Sequence, residues 1–276
     1  MVAMRIVAVL SPVADWQAIV EAAQLADAAG LDGIGLWDNY HSAQPDWGYI
    51  AGWSAYGALA AATSRVRLVP MVLNTPHFQP GVIAKESSTL AIASGGRFEL
   101  GLGAGDWPSS FEAWGQPFPP APRRLEALAE LAEVLRLLWA GEPVTFEGEQ
   151  IRLRQAICTP TPPATPDIVI GAGGSHAAIA GAVPFADEIN VYGDADLVDA
   201  VRTASAARGR SPRISVFLDW SFDNWPADPQ RELDDWAARG IDRVAVSIGS
   251  PEMPRRIRIL AGAESRRPDA TRTNRP

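Results

Sequence analysis

The sequence predicts an α/β fold, namely a (β/α)8 TIM barrel with an insertion hairpin between its fourth and fifth strands. Two observations predict this fold. Short apolar runs alternate with longer amphipathic segments along nearly the whole chain, as parallel strands alternate with the helices that cover them. Eight such strand–helix pairs fit into 276 residues, and a barrel of this kind usually needs about 250 residues. An open, doubly wound sheet is the structural alternative, but the count of eight favours a closed barrel.

The predicted strands are short and mostly apolar. They span residues 5–10, 33–38, 66–72, 97–103, 167–172, 187–191, 214–220 and 243–248. The predicted helices carry apolar residues at helical spacing, and several end at a glycine, which adopts the left-handed conformation after a last turn without steric cost. They span residues 15–29, 48–63, 80–94, 123–140, 175–184, 194–208, 228–239 and 252–261.

Two segments are longer than the simple repeat requires. Residues 106–122 form a loop rich in Trp and Pro after the fourth strand, and residues 142–166 contain the hairpin VTFEGEQIRL. Long loops inside a compact domain are usually functional or binding segments. We predict a single barrel domain over residues 1–262 and a polar, arginine-rich, disordered tail over residues 263–276.

Composition excludes several functions. The chain has one lysine, Lys85, so Schiff-base chemistry would depend on that residue alone. One cysteine, Cys158, allows neither an internal disulfide nor a multi-cysteine metal site. The net charge of -8 argues against nucleic acid or an anionic membrane as partner. With no apolar run long enough to span a membrane, the sequence predicts a soluble, cytoplasmic protein that acts on a small molecule.

Polar and aromatic residues follow the predicted strands, where barrels of this kind build their active sites. The three histidines, His41, His77 and His176, come after strands two, three and five. Six of the ten tryptophans also lie in or beside segments that follow strands. Aromatic side chains at a barrel mouth suggest a pocket for a flat, partly apolar ligand, although they can equally pack long loops.

Glycine-rich turns follow strands four and five, in GLGAGD and VIGAGGSH. Exposed backbone N–H groups and the amino terminus of the following helix suit a phosphate, although a plain tight turn explains the glycines as well. The spacing is not that of a dinucleotide fingerprint. A metal site is weakly supported, because only Asp38 and His41 are close in sequence and the chain has no H-x-H or H-E-x-x-H pair. The G-x-S-x-G elbow of serine hydrolases is also missing.

The motifs occur in an order that resembles the bacterial-luciferase-like superfamily, and within it the actinobacterial oxidoreductases that use the deazaflavin coenzyme F420. The resemblance covers residues 4–248 and includes the inserted hairpin. It rests on GLDGIGLWDNYH, GWSAYGALAAATSRVRL, PGVIAKESSTLAIASGGRFELGLGAG, WGQPFPPAPRRLEALAELAEVLRLLWAGEPVTFEGEQIRL, PDIVIGAGGS and FADEINVYG.

The resemblance implies a flavin-type ring in the barrel mouth and a phosphate arm at the turn after strand five. The residues that would bind the cofactor are Asn39, Asn74, Gly103, Ala104, Gly105, Gly171, Gly173, Gly174, Ser175 and Asn190. The implied cofactor is coenzyme F420, with FMN as the alternative, and the family also implies a homodimer. We assign catalytic candidates to Asp38, His41 and Asp106, and a substrate pocket to Tyr40, Trp53, Trp107 and Trp220.

The chain departs from the family at positions near the reacting centre. Asn39 replaces the first histidine of the usual Asp-His-Phe-His, Phe78-Gln79-Pro80 replaces Arg-His-Pro, and Asp106 stands where tryptophan is usual. The proton donor is therefore open among His41, Tyr40 and Asp106. For Asp106 we expect a pKa raised by desolvation in a Trp-lined cavity.

The predicted function is an oxidoreductase that transfers a hydride between coenzyme F420 and a small, partly apolar organic molecule. An FMN-dependent monooxygenase that uses O2 is the alternative within the superfamily. A third hypothesis, from another class, is a catalytically silent relative that only binds the cofactor. A metal-dependent hydrolase is a more distant fourth hypothesis.

Overall fold

The computed structural model describes residues 4–13, 15–41, 48–50, 52–221, 224–249 and 252–264. The tail predicted to be disordered therefore lies almost wholly outside the described residues. The strands are β1 (Arg5–Leu10), β2 (Gly33–Leu36), β3 (Arg67–Leu68), β4 (Leu73–Asn74), β5 (Leu100–Gly103), β6 (Val144–Glu147), β7 (Arg152–Ala156), β8 (Ile168–Gly173), β9 (Glu188–Tyr192), β10 (Arg213–Asp219) and β11 (Arg243–Ile248).

The helices cover the outside of the sheet. They are α1 (Trp16–Ala29), α2 (Gly52–Ala62), α3 (Pro80–Ala93), α4 (Pro108–Ala113), α5 (Ala121–Trp139), α6 (His176–Ala182), α7 (Ala195–Arg208), α8 (Pro229–Ala238) and α9 (Met253–Glu264). The short helix α4 was not predicted, because its six residues lie within the Trp- and Pro-rich loop. The turn at Thr75–His77 is a 3-10 helix that periodicity could not predict either.

The sheet closes into a barrel through one interrupted strand. The parallel order is β3-β2-β1-β11-β10-β9-β8-β5-β4, and β3 and β4 are two pieces of the third predicted strand. β3 pairs with β2, while Leu68 also bridges to Phe98, just before β5. β4 pairs with β5. Residues 67–74 therefore lie between β2 and β5, and eight strand positions form a closed ring. The predicted barrel is confirmed, as is the inserted hairpin, in which β6 and β7 pair in antiparallel fashion.

The segment between β3 and β4 bulges into the barrel. A Cβ atom added to Gly101 would lie 1.8 Å from the carbonyl oxygen of Pro70, and one added to Gly35 would lie 2.5 Å from that of Val69. Real Cβ atoms do not approach a main-chain oxygen so closely. Glycine at positions 35 and 101 is therefore required for the bulge, residues 69–72, to occupy the interior.

Val72 is the residue of the bulge that reaches the centre of the barrel. A Cβ on Gly103 would lie 2.6 Å from its Cγ2 atom, and a Cβ on Gly171 would lie 2.9 Å from its Cγ1 atom. The peptide bond between Met71 and Val72 is cis. The small residues of β5 and β8 thus make room for one valine side chain, which lies beneath the open end of the barrel.

Charged residues fill the opposite end of the barrel, at the starts of the strands. This basal ion cluster consists of Asp32, Arg67, Glu99, Asp167, Glu188, Arg213 and Arg243. At its centre Arg243 is 2% exposed, and its Nη1 atom lies 2.6 Å from Oε2 of Glu99 and 3.0 Å from Oε2 of Glu188. A buried arginine is tolerated only with such compensation, because an unpaired buried charge is very costly.

Candidate functional site

A cavity of about 690 Å³ opens at the carboxyl ends of the barrel strands. Its volume is in the range of small-molecule and cofactor sites. Most of the predicted site residues line it, and they come from the ends of β2, β4, β5, β8 and β9. Those residues are Asp38, Asn39, Asn74, Gly103, Ala104, Gly105, Asp106, Trp107, Gly171, Gly173, Gly174, Ser175 and Asn190.

Four predicted site residues are not among the described residues that line the cavity: His41, Tyr40, Trp53 and Trp220. Tyr40 packs against the rings of His77 and Phe78, with centroids 5.1 and 5.7 Å away. Trp53 packs between Phe78 and Phe98. For Tyr40 and Trp53 the structure thus favours the interpretation that these aromatic side chains pack the long loops and do not form a ligand pocket.

Trp220, His77 and His176 are likewise not among the described residues that line the cavity. Trp220 is buried against Trp225, and its indole N–H donates to Glu232 over 3.3 Å. The ring of His77 stacks on Phe111 with centroids 4.1 Å apart. His176 is an exposed residue that begins α6. None of the three histidines that follow strands in sequence is therefore among the described residues that line the cavity.

Asp38 is a buried carboxylate at the wall of the cavity, 4% exposed. The main-chain N–H of Gly52 donates to its Oδ1 atom over 3.3 Å, and that of Asn74 donates to Oδ2 over 3.2 Å. Burial raises the pKa of Asp38 to about 6, and the two N–H donors oppose that rise. Asp38 thus joins the start of α2 to the end of β4 and is a carboxyl group able to exchange a proton near neutral pH.

Asn74 presents a buried polar atom that has no protein partner. Its side chain is 7% exposed and lines the cavity, and its Oδ1 atom makes no hydrogen bond with any described residue. A Cβ on Gly105 would lie 2.9 Å from that oxygen, so glycine there leaves the approach clear. Because buried polar groups are nearly always hydrogen-bonded, the orphaned oxygen indicates a ligand atom that completes the site.

The turn after β8 forms a cradle, defined as Gly173, Gly174 and Ser175. Gly173 has φ +54°, and the atoms nearest to a Cβ there would belong to Tyr192, at 3.4 Å. The Ser175 Oγ atom accepts from the N–H of Ala178. Gly171, although predicted with these residues, has a different role from the cradle. The absence of a side chain there makes room for Val72 beneath the cavity.

The loop after β5 brings Asp106, Trp107 and Arg124 to the same cavity. Asp106 is exposed at the mouth of the cavity. Partial desolvation by the cavity walls raises the pKa of its carboxyl group. Its own backbone N–H and the charge of Arg124 oppose this rise. Trp107 is half exposed. The direction of the Asp106 shift agrees with the expectation from the sequence, while the catalytic role stays a prediction.

Several lining residues were missed by sequence reasoning: Trp37, Tyr49, Met71, Arg124, Tyr192, Phe217, Asp219 and Ser221. Trp37, Tyr192, Asp219 and Ser221 lie at or just after the end of a strand, so a stricter use of strand ends would have included these four. Arg124 is different, because it lies on the first turn of α5 and reaches the cavity only through the folding of the preceding loop.

Among the described residues, no three His, Cys, Asp or Glu side chains are grouped so that they could hold a metal ion. None of the described helices combines the length and the apolar character that crossing a membrane requires.

The chain belongs to the luciferase-like monooxygenase family, whose sequence profile matches residues 3–274. The fold agrees with this assignment. The structure superimposes with a TM-score of 0.81 on an F420-dependent secondary alcohol dehydrogenase bound to an F420–acetone adduct, at 17% identity over 95% of this chain and 98% of that chain. The TM-score is 0.78 with the F420-dependent tetrahydromethanopterin reductase of Methanopyrus kandleri, also at 17% identity over 95% of this chain and 98% of that chain.

Curated relatives include F420-dependent glucose-6-phosphate dehydrogenases. That of Kineococcus radiotolerans is 31% identical over 228 residues, which are 77% of this chain and 66% of that protein. That of Microbacterium testaceum is 36% identical over 156 residues, which are 55% of this chain and 46% of that protein. The chain thus spans about half to two thirds of the length of these relatives.

Proposed function

We propose that the protein is an oxidoreductase that transfers a hydride between coenzyme F420 and a small, partly apolar organic substrate. The observation that carries the proposal is the cavity itself, where an orphaned buried oxygen on Asn74 and an open glycine cradle face one space of about 690 Å³. Family membership and the F420-dependent relatives support this choice of coenzyme.

The residues present fit a deazaflavin. Asn74 would hold a polar ring atom through its orphaned oxygen, and the cradle would hold the phosphate of the ribityl arm through main-chain N–H groups. Val72 would support the ring from beneath. Trp107 and Tyr49, whose ring centroids lie 6.5 Å apart, leave an aromatic wall for the substrate.

When bound, a reduced deazaflavin supplies the hydride, so the protein has to contribute position and a proton. Asp38 fixes the end of β4 and therefore the orientation of Asn74. Asp106 lies at the cavity mouth, and its raised pKa favours the protonated acid that can donate to a substrate heteroatom. His41 and Tyr40 lie outside the described lining, so Asp106 is the preferred donor among the three candidates.

Coenzyme binding tests the proposal. Purified protein is titrated separately with F420 and with FMN while coenzyme and tryptophan fluorescence are followed, and we expect saturable binding of F420 in the micromolar range or tighter. The visible spectrum of protein purified from a deazaflavin-producing host provides a second measurement. Tight FMN binding without F420 binding would instead identify the FMN-dependent monooxygenase. F420 binding without turnover on a panel of activated alkenes, imines and alcohols would identify a silent relative.

Asp106→Asn should lower kcat for substrate reduction by about 100-fold or more, because an amide cannot deliver the proton. Wild-type turnover should fall as the pH rises through the pKa of Asp106, and the variant should lose this dependence. The Kd for F420 should stay within about twofold, since the change is aimed at proton transfer. Asp219→Asn, which changes another lining carboxylate, serves as the matched control. Unchanged turnover and an unchanged pH profile in Asp106→Asn would refute the assignment.

A further inference from the structure

Ser215 lies inside the barrel, between the cavity and the basal ion cluster. β9 and β10 pair in parallel, and Ser215 of β10 is the register partner of Asn190 of β9. Asn190 lines the cavity, whereas Ser215 is 1% exposed and is not among the described lining residues. Glu188, a member of the basal ion cluster, precedes Asn190 by two positions and therefore faces the same side of β9. Ser215 thus has a cavity residue and a cluster residue as neighbours on the next strand.

A chain of hydrogen bonds passes through Ser215. The side-chain amide of Asn190 donates from Nδ2 to the Oγ atom of Ser215 over 2.9 Å. The Ser215 hydroxyl in turn hydrogen-bonds the carboxylate of Glu188. Burial opposes the ionisation of Glu188, but the charge of Arg243, followed by the hydrogen bond of Ser215, lowers the pKa of this carboxyl group below its ordinary 4.5. The ionised cluster is therefore connected to a side chain of the cavity wall.

The ionised carboxylate determines the direction of this chain. A carboxylate can only accept hydrogen bonds, so Ser215 has to donate its single hydroxyl proton to Glu188. The lone pairs of its Oγ atom then accept the N–H of Asn190. A turn of the Asn190 amide by 180° would set its Oδ1 atom against an oxygen that has no proton left to donate. The charge at the base of the barrel thus fixes the orientation of the Asn190 amide.

The oriented amide of Asn190 is available to a ligand. Asn190 is 5% exposed and lines the cavity, and none of the residues that the structure describes donates a hydrogen bond to its Oδ1 atom. This oxygen therefore remains for a donor group of a ligand in the cavity. Because the amide is already oriented, a ligand that binds it does not have to restrict a freely turning side chain.

We propose that Ser215, held by Glu188, is a positioning residue that orients the Asn190 amide for the coenzyme. This inference rests on the proposed function. It connects the two ends of the barrel, because the charges at the base set the direction of the Ser215 hydroxyl and this hydroxyl sets one polar group of the cavity wall. It also gives a reason for a serine in the buried interior, where an alanine would leave the amide of Asn190 without its acceptor.

A double-mutant cycle tests the proposal. Wild type, Ser215→Ala, Asn190→Ala and the double variant are titrated with F420, and the Kd is measured by fluorescence. Ser88→Ala is the matched control, because Ser88 is also 1% exposed and its hydroxyl donates to the carbonyl oxygen of Pro160 over 2.6 Å, on α3 outside the barrel. Urea denaturation of each variant shows how much of the protein is folded under the conditions of the titration.

For Ser215→Ala we expect the Kd for F420 to rise about 3- to 10-fold, as for an amide that has to be immobilised when the ligand binds. In the Asn190→Ala background, the same change should alter the Kd by less than about twofold, because the group that Ser215 orients is already missing. Ser88→Ala should lose stability and keep the Kd within about twofold. Ser215→Thr, which retains the hydroxyl, should restore the Kd to within about twofold of the wild type.

An equal rise of the Kd in both backgrounds would overturn the proposal, because it would show that Ser215 affects the cavity without Asn190. An unchanged Kd for Ser215→Ala would overturn it as well. If Ser215→Ala does not fold, Ser215→Cys takes its place in the cycle, since a thiol of similar size is only a weak hydrogen-bonding group. If the wild type binds FMN and not F420, the proposed function fails, and the same cycle measured with FMN decides the role of Ser215 separately. Binding of neither coenzyme by the wild type would overturn both proposals.

Discussion

Replacing Arg243 by methionine should lower the free energy of unfolding by about 3 to 5 kcal/mol near pH 7.5. Methionine fills much of the same space, so the loss comes mainly from charge. In the wild type Arg243 faces three carboxylates, and its Nε atom lies 3.1 Å from Oδ2 of Asp32 in addition to the contacts with Glu99 and Glu188. Without the guanidinium, these buried carboxylates repel one another and have lost their central counter-charge.

The loss caused by Arg243→Met should shrink as the pH falls. In the wild type the pKa of Glu188 is lowered despite its burial, chiefly by the Arg243 charge, so its stabilising contribution is present above the unfolded pKa of 4.5 and is lost in acid. In the variant, burial and like charges should raise the carboxylate pKa values, so folding takes up protons and becomes relatively more favourable in acid. Between about pH 7.5 and pH 5 the difference shrinks mainly through the variant's raised carboxylate pKa values, because the wild type loses the Glu188 contribution only below about pH 4.5.

Urea denaturation of both proteins at the two pH values measures this difference. Arg255→Met is the control, because Arg255 pairs with Glu252 on the exposed surface and should contribute less than about 1 kcal/mol. Arg243→Met combined with Glu188→Gln should recover part of the loss. A loss below about 1 kcal/mol at pH 7.5 would mean that the basal ion cluster does not depend on its central arginine.

Replacing Asp38 by asparagine should change the pH dependence of stability by roughly 3 kcal/mol. The pKa of Asp38 is raised from 3.8 to about 6 in the folded protein. The wild type therefore takes up a proton on folding between these values and loses stability as the pH rises through them. Each tenfold change in proton affinity is worth about 1.4 kcal/mol, and asparagine has no such group to titrate.

The measurement is the free energy of unfolding of wild type and Asp38→Asn between about pH 4 and pH 7.5. The wild-type value minus the variant value should become more negative as the pH rises. Asp235→Asn, at an exposed position on α8, should leave the pH dependence of the wild type unchanged. Parallel curves for wild type and Asp38→Asn would show that Asp38 does not titrate in this range.

The variant Asp38→Asn should also bind F420 less tightly, because one of the N–H donors of Gly52 and Asn74 would face an amide NH2.

The barrel could be predicted from the sequence because its signals are local. Strand β1 and strand β11 were predicted at their observed bounds, since each is an apolar run flanked by polar residues. The third strand was predicted as one segment, yet the structure divides it into β3 and β4. That division depends on the glycines at positions 35 and 101, which are distant in sequence. Their close contacts with residues 69–72 exist only when the strands are assembled, so the sequence alone does not indicate them.

Within the candidate site, the residues that directly follow strands were predictable and the orientations of side chains were not. Asp38 and Asn74 follow β2 and end β4, so the barrel places them at the mouth. Tyr40 and Trp53 also lie near strand or helix ends, but their rings pack against Phe78. Position along a strand determines which end of the barrel a residue occupies, whereas the packing of neighbouring loops determines whether its side chain faces the ligand.

The bulge at residues 69–72 also constrains how this sequence can change over time. Gly35, Gly101, Gly103 and Gly171 come from three different strands, but each leaves space for the same short segment. A methyl group gained at one of these positions would collide with the bulge. A larger residue could be accepted there only after the bulge had withdrawn, which would remove Val72 from beneath the cavity. The four glycines and the segment they surround are thus expected to be inherited as a unit, so that substitutions within this group show strong epistasis.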